Sequence, residues 1–225
     1  MVDVNAQIDA VQRELRTSTT VDAVRVQRLV QEYRAELDDV WEAVTTAERI
    51  RRWFLPVTGE LRLGGTYQLE GNAGGRILEC DPPAGGSASF RATWAYGEAA
   101  DTWLTVRLTS LGAHRTRLEL EHEARVADIP EDMWTQFGPS GTGIGWDSIL
   151  LGLSLNLAGD TSVTPEQAMA WMLSEEGRHF VRRSADAWAA AHAADGADPQ
   201  VAGSAADATY QLYTTVPEEG TAAAG

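Results

Sequence analysis

Between Gly59 and Arg125, hydrophobic side chains alternate with polar ones, and pairs of glycine or proline separate the alternating stretches. The alternation is clearest over residues 87–96, where Phe90 and Trp94 have polar or small neighbours. A period of two places successive side chains on opposite faces of a strand. Because it is repeated over consecutive stretches with short connections, it predicts an antiparallel meander with one apolar and one solvated face.

The residues before this meander show mostly helical spacing. Val4, Ile8, Val11 and Leu15 recur every three or four residues, which predicts one helix within residues 1–19. A stretch rich in valine then predicts one long strand, and two short helices follow it.

The residues after the meander predict a loop and then helices. Residues 138–145 are rich in glycine and are expected to form a loop. The apolar residues from Trp146 to Leu157 recur with helical spacing, which predicts an amphipathic helix that covers the apolar face of the sheet. Residues 161–214 predict a helical extension that packs on the core or on a second subunit, and residues 215–225 predict a flexible tail.

The composition excludes several classes of function. The 225 residues carry a formal charge of −15, so no nucleic-acid partner is expected. All 18 basic residues are arginine, which excludes Schiff-base chemistry on lysine. Cys80 is the single cysteine and the four histidines lack metal-ligand spacing, so we expect no disulfide, no metal and no cofactor. No stretch has the character of a membrane span or a secretion signal, and we expect a cytoplasmic protein without a membrane partner.

A set of short motifs is spread over residues 20–158. They are Val40-Trp41-Glu42-Ala43-Val44-Thr45, Arg52-Trp53-Phe54 with Pro56, Gly64-Gly65, the segment GRILECDP over 75–82, Thr93-Trp94, Tyr96-Gly97, Thr116-Arg117-Leu118 and Gly143-Ile144-Gly145-Trp146. Each motif is short, but in this order along the chain they resemble the family named after the activator of the Hsp90 ATPase, in its C-terminal-domain type. That family is a branch of the START and birch-pollen-allergen superfamily.

This resemblance implies an α+β helix-grip fold for residues 20–160. Such a fold has a curved antiparallel sheet, here of about six to seven strands, wrapped on a long C-terminal helix. Extra helices would flank it at both ends of the chain. Many relatives hold apolar ligands in a cavity between the sheet and the helix, although fold alone assigns no reaction.

The strand alternation and the helical spacing together select the residues that would face such a cavity. Most are apolar or aromatic. The imidazole of His122 is either a polar anchor or a general acid–base for a ligand or, as is more common for a lone histidine, a satisfied residue of the core or rim. Large rings could instead fill this space completely. The predicted ligand-binding residues are Phe54, Tyr67, Phe90, Trp94, Leu104, Val106, Leu118, Leu120, His122, Trp146, Leu150 and Leu153.

Non-catalytic binding of a small hydrophobic or aromatic molecule is the function that this pattern favours. One alternative is a cyclase-like or aromatase-like enzyme that polarises a polyketide with His122, Tyr67 or Arg91. Another is a co-chaperone-like interaction module. Residues 49–52 contain three arginines that could meet a ligand carboxylate, but a solvated helix face is the more common role of such a cluster. Apolar faces on both terminal additions are also consistent with a homodimer.

Overall fold

The structure, a computed structural model, describes residues 3–159 and 164–215. The helices are α1 (Val4–Ala10), α2 (Leu37–Thr45), α3 (Ala47–Ile50), α4 (Glu131–Phe137), α5 (Ser140–Leu157), α6 (Pro165–Met172), α7 (Glu175–Ala194) and α8 (Pro199–Thr214). The strands are β1 (Gln12–Thr17), β2 (Val24–Tyr33), β3 (Val57–Gly59), β4 (Thr66–Leu69), β5 (Gly74–Ala84), β6 (Ser87–Trp94), β7 (Thr102–Gly112) and β8 (Arg115–Arg125). None of the helices in the two described ranges combines the length and the apolar character that a membrane span requires.

All the strands join one antiparallel sheet in the order β1-β2-β8-β7-β6-β5-β4-β3. Consecutive strands from β3 to β8 are neighbours, so the predicted meander is confirmed. β2 returns beside β8, where Val24 lies opposite Arg125 and Tyr33 lies opposite Thr116. The predicted α+β helix-grip class is confirmed, and the sheet gains β1 as an extra edge strand.

The two faces of the sheet differ as the alternation predicts. The outer face carries ion pairs between neighbouring strands, such as Arg28 with Glu119 and Arg107 with Glu121. The inner face carries buried side chains such as Leu120, on which α2 and α5 pack. The inner face therefore forms one wall of the apolar core.

α5 is buried on two sides, so the prediction of an amphipathic helix is wrong. One side packs on the sheet through Trp146 and Leu150. The other side places Ile144 and Leu151 in a second apolar cluster with Phe180 of α7. A helix between two layers needs apolar residues on both sides. The extension therefore covers α5 within the same chain.

The prediction of one N-terminal helix holds only for its first half. α1 ends at Ala10, and the side chain of Asp3 caps its start. The segment Gln12–Thr17 pairs with β2 instead, so the helix prediction is wrong there. Val11 and Leu15 are both buried, and their spacing of four residues fits one face of a helix and one face of a strand equally well. Backbone pairing with β2 decides between the two.

The predicted glycine-rich loop is mostly helical. α5 begins at Ser140, and α4 precedes it where no helix was predicted. Gly143 lies against α7, and a Cβ atom at this position would lie 2.4 Å from the Trp188 indole. The loop prediction is therefore wrong for residues 140–145, because small residues here let two helices approach closely.

The helices of the extension begin at capping residues. Thr164 and Gln167 form a capping box at the start of α6. Asp198 caps α8 with its side chain. The tail predicted for residues 215–225 lies, beyond Thr215, outside the described residues.

Candidate functional site

A cavity of about 350 Å³ lies between the inner face of the sheet and the helices α2, α3 and α5. Small-molecule sites typically enclose about 300–1,000 Å³, so this volume is at the lower end of that range. Seven of the 25 lining residues are aromatic, and none of the 25 is Asp, Glu, Arg or His. The walls thus present mainly aliphatic groups and aromatic rings.

Eleven of the twelve residues predicted to face a ligand line this cavity, and His122 is the exception. Seven of the eleven lie on β4, β6, β7 and β8, where period-two alternation turns them to the inner face. Three more lie on α5, and Phe54 follows α3. The sequence pattern therefore predicted most of the buried residues that line the cavity.

The other lining residues come mainly from short or irregular elements, which periodicity does not resolve. In β5 the register shifts between Ile77 and Glu79 and again between Asp81 and Ala84, so its alternation is broken. Three sequence signals could have pointed to some of these residues: the apolar face of α2, the strand alternation that includes Leu69 and Ala92, and the helical spacing that includes Ile149. The unpredicted lining residues are Trp41, Val44, Thr45, Thr46, Ile50, Trp53, Val57, Leu61, Leu69, Ile77, Cys80, Pro82, Ala92 and Ile149.

The lining contains exposed residues at the end of α2 and in β5. Thr46 and Pro82 line the cavity and are both exposed, whereas Leu120 and Leu150 are buried. Thr46 and Pro82 mark the part of the lining that we call the rim of the cavity.

Two polar groups in the wall are already engaged with the backbone. The Tyr67 hydroxyl donates to the Thr93 carbonyl oxygen at 2.7 Å, and the Thr45 hydroxyl donates to the Trp41 carbonyl oxygen at 2.6 Å. Burial raises the pKa of the Tyr67 phenol, with smaller contributions from nearby Tyr96 and Asp101. The phenol therefore stays protonated and fixed in the wall.

His122 lies against Trp146, with the two ring centroids 5.1 Å apart, but it is not part of the cavity lining. Its Nε2 atom is 2.8 Å from Thr102 Oγ1, which itself donates to the Trp94 carbonyl oxygen at 2.6 Å. A hydroxyl has a single hydrogen, so Thr102 accepts from His122, whose proton is on Nε2. Burial lowers the pKa of His122 to about 4, so the ring is neutral at neutral pH.

The arginines considered as ligand contacts also lie outside the cavity lining. Arg49 pairs with Asp39, and Arg51 pairs with Glu48 on the exposed surface of α3. Arg91 sits on the outer face of the sheet, next to Phe90 and Ala92 on the inner face. The basic cluster therefore forms a solvated surface whose charges are locally compensated.

Comparison with known proteins identifies the family. The model of the family described as "Activator of Hsp90 ATPase homolog 1-like protein" matches residues 34–155. No curated protein is significantly similar to this chain in sequence.

Solved structures agree with this match. The crystal structure of CalU16 from Micromonospora echinospora shares 34% identity over 81% of this chain and 98% of its own, with a TM-score of 0.61. The solution NMR structure of the same protein shares 32% sequence identity with this chain. The alignment covers 83% of this chain and 97% of that structure, with a TM-score of 0.63. A conserved protein of unknown function from Enterococcus faecalis shares 12% sequence identity over 68% of this chain and 82% of its own, with a TM-score of 0.51. At this identity the match supports the fold alone. The chain therefore belongs to the activator of Hsp90 ATPase homolog 1-like family of the SRPBCC superfamily, and it has that family's helix-grip fold.

Proposed function

We propose that this protein binds a small, uncharged hydrophobic or aromatic molecule in the cavity beneath α5 and does not transform it. The observation that carries the proposal is unfilled space of about 350 Å³ enclosed by aliphatic and aromatic side chains. Protein interiors are otherwise close-packed, and an apolar guest in this space would make dispersion contacts with the surrounding side chains.

The chemistry of the walls defines the ligand. No acidic, basic or imidazole group lines the cavity, so a charged ligand would lose its hydration without gaining a partner. Seven aromatic side chains, among them Phe90 and Trp94, belong to the lining and suit a flat aromatic guest. Polar substituents would be accommodated best at the rim, beside the exposed Thr46.

The cyclase-like alternative has less support from the cavity. His122 and Arg91 are not among the lining residues, and the Tyr67 hydroxyl is engaged with a backbone carbonyl oxygen. None of the three is placed to exchange a proton with a molecule inside the cavity. A role as a co-chaperone has no specific observation in its favour among the described residues.

Binding of the planar hydrocarbon fluorene, measured by calorimetry and by thermal unfolding, tests the proposal. A ligand at a hundredfold excess over its dissociation constant stabilises the native state by about 2.7 kcal/mol. Ala92, in the cavity wall, is the position for a blocking variant, because Ala92→Leu places three further carbon atoms in the space that a guest would occupy. Ala88→Leu makes the same change on the same face of β6 outside the lining, and we expect it to retain binding.

Absence of saturable fluorene binding to the wild-type protein would count against the proposal. Equal binding by wild type and Ala92→Leu would also contradict it, since the guest would then lie elsewhere. Native mass spectrometry of gently purified protein offers an independent check, and the expected result is a co-purifying neutral molecule.

A further inference from the structure

The three hydroxyl groups in the cavity wall already use their hydrogens within the protein. They belong to Thr45, Thr46 and Tyr67. Thr45 donates to the Trp41 carbonyl oxygen at 2.6 Å, and Thr46 donates to the Glu42 carbonyl oxygen at 2.8 Å. Tyr67 donates to a backbone carbonyl oxygen of β6 at 2.7 Å. Because a hydroxyl has one hydrogen and two lone pairs, each of these groups can offer a ligand only an acceptor.

The three hydroxyl-bearing residues differ in how open they are to a guest. Tyr67 is only 8% exposed and Thr45 is half-buried, whereas Thr46 is exposed. Thr46 follows the last residue of α2 and lies at the rim of the cavity. Its hydroxyl is therefore the acceptor that a molecule reaching the rim can approach.

The end of α2 also favours a hydrogen-bond donor on the ligand. Val44, Thr45 and Thr46 line the cavity in succession, so the last turn of this helix is part of the wall. The last carbonyl oxygens of a helix lack partners within the helix, and they form the negative end of its dipole. A ligand group that presents a hydrogen is stabilised at this end, whereas one that presents only lone pairs is repelled.

The remaining features of the rim select a neutral donor. Pro82, the other rim residue, has no backbone N–H and so cannot donate to a ligand oxygen. None of the lining residues is Asp or Glu, so an ammonium group would have no carboxylate in the wall to compensate for its lost hydration. A hydroxyl group meets both conditions.

We propose that the ligand is an uncharged aromatic molecule with a hydroxyl group at one end, and that this hydroxyl donates to Thr46 Oγ1 at the rim. The apolar rings occupy the cavity. This inference rests on the proposed function and narrows it to one chemical class. It makes Thr46 a residue that determines specificity, because an ether oxygen in the same place would bring a second acceptor and no hydrogen.

The test compares two probes with the same ring system, 2-hydroxyfluorene and 2-methoxyfluorene. Both have an oxygen that can accept, but only the first can donate. Calorimetric dissociation constants are measured for the wild type and for the variants Thr46→Val, Thr46→Ser and Thr45→Val. The readout is the ratio of the two dissociation constants, methoxy over hydroxy, compared between proteins so that the different size of the probes cancels.

The variants are chosen to separate the hydroxyl from the shape of residue 46. Thr46→Val keeps the β-branched shape, which suits the extended backbone at this position, and its N–H still donates to the Glu42 carbonyl oxygen. Thr46→Ser keeps the hydroxyl and removes the methyl group. Thr45→Val is the matched control, because it makes the same change at the adjacent, half-buried lining residue, whose hydroxyl also donates to a carbonyl oxygen.

The wild-type ratio is expected to exceed that of Thr46→Val by about three- to tenfold, the range of one neutral hydrogen bond. Thr46→Ser and Thr45→Val should keep the wild-type ratio. An unchanged ratio in Thr46→Val, or a loss of the preference in Thr46→Ser or in Thr45→Val, would overturn the assignment to the Thr46 hydroxyl. The proposed function would stand in these cases if fluorene still binds the wild type and Ala92→Leu blocks it. If neither fluorene nor its two derivatives bind the wild type, the proposed function fails together with this inference.

Discussion

Arg13 and Asp147 form a buried ion pair between two segments that lie 134 residues apart. Arg13 Nε lies 3.1 and 3.0 Å from the two carboxylate oxygens, and the two side chains are 5% and 1% exposed. Ser184 and Trp188 of α7 donate to the same carboxylate. Burial raises the pKa of Asp147, while Arg13 and the two α7 donors act in the opposite direction. One carboxylate thus joins β1, α5 and α7 next to the cavity residue Trp146.

Asp147→Asn should strongly destabilise the fold, because it leaves the buried charge of Arg13 without a counter-charge. We expect a decrease of about 3–5 kcal/mol in the free energy of unfolding, measured by urea titration. Arg62→Ala is the control, since its pair with Glu60 is exposed and should contribute at most about 1 kcal/mol. Similar losses in the two variants would contradict a structural role for the buried pair.

Two alanines on the inner face of β6 should differ in how much stability the protein loses when each is replaced by leucine. Ala92→Leu extends into the cavity and should change the free energy of unfolding by less than about 1 kcal/mol. Ala88 is buried in the core outside the lining, so Ala88→Leu should cost about 1–3 kcal/mol through overpacking. Chemical denaturation of both variants measures the contrast, and an equal cost would mean that the space beside Ala92 is not available.

Replacing two helical glycines by alanine should change the stability of the protein in opposite directions. Gly143→Ala places a methyl group 2.4 Å from the Trp188 indole, and we expect a loss of about 1–3 kcal/mol. Gly203 on α8 has no heavy atom within 4 Å of an added Cβ atom, so Gly203→Ala should stabilise the protein by about 0.5–1 kcal/mol. Thermal unfolding distinguishes the two, and a stabilised Gly143→Ala variant would show that α5 and α7 are not in close contact.

His122 should make the stability depend on pH between about 4 and 6.5. Because burial lowers its pKa from 6.5 to about 4, the unfolded chain binds more protons in this window. The contribution is fully present above pH 6.5 and is lost as the pH falls, by up to about 3 kcal/mol. It is measured as the difference between the pH–stability profiles of the wild type and His122→Gln, whose amide N–H retains a donor for Thr102.

His114→Gln is the control for this pH dependence, because the His114 side chain is 80% exposed. A His122→Gln profile with the same slope as the wild type would contradict the burial of a neutral imidazole at this position.

The homodimer suggested by the sequence stays a prediction. It was motivated by apolar faces on the terminal additions, and the chain itself covers much of these faces. α7 packs on α1, β1 and α5, and α8 packs on α7. Light scattering at high micromolar concentration would decide the oligomeric state.

The sequence by itself determined the meander and the inner face of the sheet, because side-chain alternation in a strand is a local property of the backbone. Phe90, Trp94, Leu104 and Leu120 were therefore assigned to the cavity side without knowledge of their neighbours. The same local pattern could not distinguish a helix from a strand at Leu15, where the spacing fits both and pairing with β2 decides.

Only the tertiary structure decided the features that depend on segments far apart in the chain. The Arg13–Asp147 pair and the neutral His122 against Thr102 both arise from such contacts. The open space beneath α5 is of the same kind, since its volume is what remains after all the surrounding side chains have packed. Periodicity predicts which way a side chain faces, but it contains no information about how completely the opposite wall fills the space.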